Sequence, residues 1–135
     1  MRFMMLVKAS ADTEAGVLPD EKTLAAMGRF NEEMVKAGVM LDGSGLQATA
    51  KGARVRFAGG KPKVTDGPFS ETKELVAGYW LIQVKSRAEA IEWAKRVPFA
   101  DGEIEIRQLF ELTDFPAGPA IDQMVELGKR LGKTQ

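Results

Sequence analysis

The order of hydrophobic patterns along the chain predicts an α+β domain, a ferredoxin-like split βαβ with an inserted β-hairpin and a C-terminal helix. Three observations carry that prediction. Short apolar or alternating runs recur at residues 3–7, 39–41, 79–84 and 103–112. Helical patterns opening at Asp20 and Ser86 separate the first run from the second and the third from the fourth. Between the two halves, Gly59-Gly60 joins two short runs as a tight hairpin turn.

Each element has its own reason. Residues 3–7 (FMMLV) are continuously apolar, as a buried strand should be, and residues 9–19 read as a polar loop. Asp20 suits an N-cap, with Glu21 in the first turn. Leu24, Met27, Phe30, Met34 and Ala37 then recur at spacings of three and four, one face of a helix. Lys36 lies in its last turn and Gly38 suits the position just past its end. Residues 39–41 read as a short strand running into a flexible DGSG at 42–45.

In the hairpin, Ala53, Val55 and Phe57 alternate with Arg54 and Arg56, and residues 61–65 return. Pro62 cannot donate to a ladder, which predicts a sheet edge there. Residues 79–84 (YWLIQV) form a strand, and Ser86 with Glu89 is a capping box. Ala90, Ile91, Ala94 and Val97 give the second helix its buried face before Pro98 ends it. Residues 103–112 (EIEIRQLFEL) alternate as a last strand, and Ile121, Met124, Val125 and Leu131 stripe a third helix. Helices that cover one sheet face leave the other to the tail or to a second subunit.

Composition excludes more than it assigns. At 135 residues the chain makes one domain, and 44% hydrophobic content is enough for a core. Nineteen cationic side chains balance nineteen acidic ones, so no global field recruits nucleic acid or an anionic membrane. The chain has neither cysteine nor histidine. Disulfides, thiolate and imidazole metal sites, and Ser-His or Cys-His nucleophiles are therefore ruled out. No metal and no cofactor is expected. The apolar start is too short for a signal peptide or a membrane span, so a cytoplasmic protein is expected.

The segment TDGPFSETKELVAGYWLIQV, residues 65–84, resembles the signature of the DGPF-type branch of the YCII-related proteins. MRFMMLVKA, GARVRF, AIEWAKRVP and EIEIRQLFEL resemble the same branch. The similarity covers residues 1–116, leaving 117–135 as a C-terminal helical tail. The resemblance implies a ferredoxin-like fold that dimerises through its sheet into a dimeric α/β barrel. Relatives of that architecture include monooxygenases, isomerases and dehalogenating enzymes acting on small molecules. Better-understood YCII-type members use a His–Asp pair, which cannot form here. Close relatives are expected to carry a histidine near Gln47, a residue that hydrogen-bonds but does not titrate.

The residues of the signature have structural and functional readings side by side. Gly67-Pro68 makes a stiff corner, with Phe69 as a plug or as part of a binding wall. Asp66 either closes an Asx-turn or acts as a base facing a cleft. Glu71, Lys73 and Glu74 form a solvated charge run or a short helical turn. An extended course would instead turn one inward, and an inward Glu74 near Tyr79 would titrate high and handle protons. Arg54 and Arg56 either line a cleft with Tyr79 and Trp80 or guard a sheet edge. Ser70-Glu-Thr-Lys73 fits S-x-x-K, but no SDN or KTG follows it.

Two functional classes follow. One is a small-molecule enzyme working by carboxylate acid/base chemistry, with Asp66 and Glu74 catalytic and Gln47, Arg56, Phe69, Lys73 and Tyr79 binding substrate. The other is a non-catalytic homodimer that binds a small molecule or a partner. The resemblance links this second class to sigma-factor regulation, without direct contact to nucleic acid.

Overall fold

Phe3, Met5 and Val7 alternate with Arg2, Met4, Leu6 and Lys8 along β1 (Arg2–Lys8), and that pleat sorts the whole molecule into two sides. A computed structural model describes residues 1–132 of the chain. After β1 come α1 (Ala11–Glu14), α2 (Glu21–Lys36), β2 (Met40–Gly45), β3 (Ala53–Ala58) and β4 (Lys61–Asp66). β5 (Val76–Gln83), α3 (Arg87–Lys95), β6 (Ile104–Gln108) and α4 (Pro119–Arg130) complete it. Four strands form one antiparallel sheet in the order β2-β5-β1-β6, while β3 and β4 form a separate two-stranded sheet.

The core lies between the four-stranded sheet and the helices α2 and α3. Phe3, Met5, Trp80 and Ile82 from the sheet meet Phe30, Met34 and Ala90 from the helices. Fully burying Phe3, Met5, Met34 and Ile82 stabilises the fold by about 1.5–3 kcal/mol each. Phe30 meets Trp80 edge-on, with ring centroids 5.6 Å apart, and the Trp80 indole N–H donates to Asn31 Oδ1 at 2.8 Å. The large aromatic is thus buried without leaving its donor unpaired.

The helix ends obey the capping chemistry read from the sequence. Asp20 accepts from the Thr23 backbone N–H, and Ser86 from that of Glu89. The Glu89 carboxylate reaches back to the Lys85 N–H rather than to Ser86 itself. In the expected polar loop there is an additional helical turn, α1, closed by a reciprocal Ser10–Thr13 box. A Thr there does what Glu or Gln usually does, which is why the turn is hard to see in the sequence.

Other boundaries move for steric reasons. DGSG is not a loop but the body of β2, and β5 begins at Val76, three residues ahead of Tyr79. A Cβ on Gly43 would stand 2.9 Å from Met40 Cε and from Trp80 Cδ1, so this strand needs a glycine where it crosses the indole. The last strand is shorter than its alternating pattern, ending at Gln108. The hairpin has the expected Gly59-Gly60 turn, but it stands as its own sheet instead of extending an edge of the main one. The single chain contains no closed barrel, since β2 and β6 end the four-stranded sheet among the described residues. Of the expected tail, residues 133–135 lie outside the described residues.

Candidate functional site

Thr49 is the hub of the corner that the DGPF motif makes. Its hydroxyl accepts from the Phe69 backbone N–H at 3.1 Å and donates to Glu14 Oε2 at 2.6 Å. The other Glu14 oxygen accepts from the Thr49 N–H at 3.1 Å. The Gly67 N–H donates to the Gly52 carbonyl at 3.0 Å, and the Gly67–Pro68 peptide is cis. A Cβ at Gly67 would lie 1.7 Å from the Thr49 carbonyl oxygen. The Arg54 guanidinium stacks 3.8 Å above the Phe69 ring and reaches Glu71 at 3.4 Å. Backbone contact, one hydroxyl and one carboxylate therefore join α1, the 46–52 loop and the motif. Gly67 and Phe69 act here as a stiff corner.

The charge run beyond it curls into a 3₁₀ turn, Thr72–Glu74, with Lys73 and Glu74 both exposed. The extended course that would turn one of them inward does not form. Ser70 through Glu74 line a shallow surface depression instead of an enclosed cleft. Asp66 is exposed at the end of β4 opposite Ala53, and Arg56 is exposed opposite Lys63. Gln47 is exposed just after β2, where Leu46 bonds back to Ala77.

Tyr79 stands elsewhere, on the sheet face turned away from the helices. Its hydroxyl donates to Asp42 Oδ2 at 3.0 Å, while Asp42 Oδ1 accepts from the Gly43 N–H at 2.8 Å. Asp42 is a residue that sequence reasoning missed, because its glycine-flanked position on β2 reads as a turn. On this face Met4 pairs with Leu81 and Leu6 with Tyr79. Their half-buried side chains make an apolar centre.

The opposite rim, on β1 and β6, is ionic. Lys8, only 12% exposed, sits 3.3 Å from Glu105, which Arg107 also reaches at 3.4 Å. Hydrogen bonding to Lys8, then its charge and Arg107, holds the Glu105 carboxyl below the usual carboxylate range. Arg2 grips Glu111 through two parallel bonds of 2.9 and 2.8 Å. That fork lowers the Glu111 carboxyl and raises the Arg2 guanidinium. Neither pair is visible in sequence, since each joins strands or segments about a hundred residues apart.

The nominated residues therefore occupy four places, of which Gln47 holds one on the exposed loop just after β2. Phe69 belongs to the corner, with Lys73 and Glu74 in the depression that follows it. Asp66 and Arg56 belong to the hairpin. Tyr79 belongs to the open sheet face, where Asp42, Lys8 and Glu105 are the groups able to bind or move a proton. Among the described residues no group of three or more carboxylates could hold a metal ion, and no helix is long and apolar enough to cross a membrane.

Comparison with known proteins adds a family but no activity. The YCII-related domain matches residues 1–113. An uncharacterized protein of Rhizobium meliloti is 33% identical over 93 residues, covering 67% of this chain and 75% of its own length.

Proposed function

Because the chain belongs to the YCII-related domain family, we propose that it works as a ferredoxin-like, DGPF-type homodimer that binds a small molecule against the open sheet face. Residues 1–116 make the working domain and residues 117–135 an accessory tail. Two copies pair through that face to close a dimeric α/β barrel in the cytoplasm, without nucleic acid or membrane. The apolar centre of Met4, Leu6 and Leu81 takes an apolar body, and the polar rims take its polar edge.

A single observation carries this reading: the Tyr79 hydroxyl held on the Asp42 carboxylate at 3.0 Å beside that apolar centre. A phenol oriented by a carboxylate can donate a hydrogen bond to a ligand oxygen and pass a proton to Asp42. Carboxylate acid/base chemistry thus falls to Asp42 with Tyr79. Asp66, Glu74, Lys73 and Gln47 form the outer wall in this reading.

A thermal-shift screen of small aromatic and aliphatic acids tests it, followed by a turnover assay on each hit. Tyr79→Phe and Asp42→Asn should keep the parent melting temperature to within a few degrees and lose most of the ligand-induced shift. Equal shifts in parent and variants would remove the site from this face. Ligands that bind without turnover would favour the second reading, a non-catalytic binding dimer, which the absence of histidine supports.

A further inference from the structure

The β3–β4 hairpin presents a hydrophobic face that its own chain leaves open. Every residue of both strands is exposed. Val55 pairs with Val64 and Phe57 with Pro62, so one face of the ribbon is apolar. Phe57 is 72% exposed, Val64 64% and Val55 52%. A lone two-stranded hairpin is marginally stable in water, and contiguous exposed apolar surface of this kind marks an interaction site.

Its charge says what kind of surface it fits. Lys51, Arg54, Arg56, Lys61 and Lys63 fall between residues 51 and 65 with no carboxylate among them. The remaining 14 cationic residues face all 19 carboxylates, so the body of the chain is acidic. The acid falls in several stretches, and one of them also carries an aromatic pad. Between Arg107 and Lys129 there are four carboxylates, Glu111, Asp114, Asp122 and Glu126, and no cation. The same stretch exposes Phe110 at 73%, Met124 at 51%, Leu127 at 45% and Phe115 at 42%. Phe110 and Phe115 lie together, with ring centroids 5.1 Å apart, as one aromatic pad.

We infer that the hairpin of one copy packs its apolar face on the acidic, aromatic C-terminal segment of a second copy. Both surfaces are open in a single chain, so they do not cover each other there. The ribbon is only two strands wide, and the long stems of Arg56, Lys61 and Lys63 reach around its edges to carboxylates such as Asp122 and Glu126. A nucleic acid would meet the cations and leave Val55, Phe57 and Val64 wet. An acidic apolar pad satisfies both faces. Under two-fold symmetry the contact forms twice, tail receiving arm on each side. This contact is separate from the pairing of open sheet faces.

The absence of cysteine makes the test clean. Full-length chains carrying Phe57→Cys and chains carrying Met124→Cys, distinguished by isotope mass, are refolded together and oxidised mildly. A mixed disulfide between the two kinds of chain is expected, well above the yield with Glu32→Cys in place of Met124→Cys. Arg56→Glu with Lys63→Glu should slow that cross-link about tenfold or more, and Asp122→Lys with Glu126→Lys on the other chain should restore it. That rescue separates lost attraction from misfolding. A mixed yield no higher than the control, or indifference to charge reversal, would each overturn the inference. Charge reversal that instead abolishes binding to duplex DNA or anionic vesicles, with cross-linking intact, would overturn it as well. A dimeric mass without the cross-link leaves the sheet-face pairing standing and removes only the arm.

Discussion

A methyl group on Gly67 has nowhere to go, because the Thr49 carbonyl oxygen already occupies its place at 1.7 Å. That atom is backbone, so relief requires the 46–52 loop to move as a unit. Gly67→Ala is expected to cost about 2–4 kcal/mol and lower the melting temperature accordingly. Thr49→Val keeps the shape but leaves the Phe69 N–H and the Glu14 carboxylate without the hydroxyl they share. Its expected cost is about 1–3 kcal/mol, and Thr49→Ser should recover most of it. Chemical denaturation of the three variants checks both statements; a silent Gly67→Ala would mean the corner is not seated on Thr49. Phe69 is half-buried under Arg54, so Phe69→Ala should cost less than removal of a fully buried phenylalanine.

At the scale of elements, the Arg2–Glu111 fork ties the start of β1 to the segment leading into α4. The Glu111 carboxyl titrates below its unfolded value in the folded chain, so its contribution is complete above the ordinary carboxylate range. That contribution disappears as pH falls through the lowered folded value. Glu111→Gln should therefore lose about 1 kcal/mol or less near neutrality, given partial exposure of both partners, and match the parent in strong acid. Urea unfolding from about pH 3 to pH 7 reads the converging curves; a constant offset would mean Glu111 acts through packing alone. The Arg2 shift lies too far above neutrality to enter this window.

Elements built from local rules were legible in the sequence. Asp20, the apolar stripe of α2 and the Gly59-Gly60 turn each announce themselves within a few residues. Of β2 only the start, at residues 40 and 41, was legible, because Gly43 in its continuation answers to Trp80, a residue far along the chain. The candidate site suffered for the same reason. Asp42 meets Tyr79 across 37 residues, and Arg2 meets Glu111 across 109, through a strand order that local pattern does not reveal. At Glu74 the sequence left a solvated turn and an extended wall open, and the chain takes the turn.

For the whole molecule, helices cover one side of the four-stranded sheet, and the other side is the question. Met4, Leu6, Leu81 and Tyr79 lie together on that side, only half covered, flanked by the Asp42 carboxylate and the Lys8–Glu105 pair. An apolar centre with a polar rim is the anatomy of an interface, and a two-fold axis lets the same patch serve both partners. Light scattering at micromolar concentration should accordingly give twice the chain mass of 14.7 kDa. Leu81→Arg places a charge at the centre of the patch, where a partner would strip its water. The variant should fold, since Leu81 points away from the core of Phe3, Met5 and Ile82, and run at the mass of one chain. A parent that scatters as a single chain ends the dimer. A Leu81→Arg variant that stays double while the hairpin charge reversals separate the copies would move the interface from the sheet to the arm.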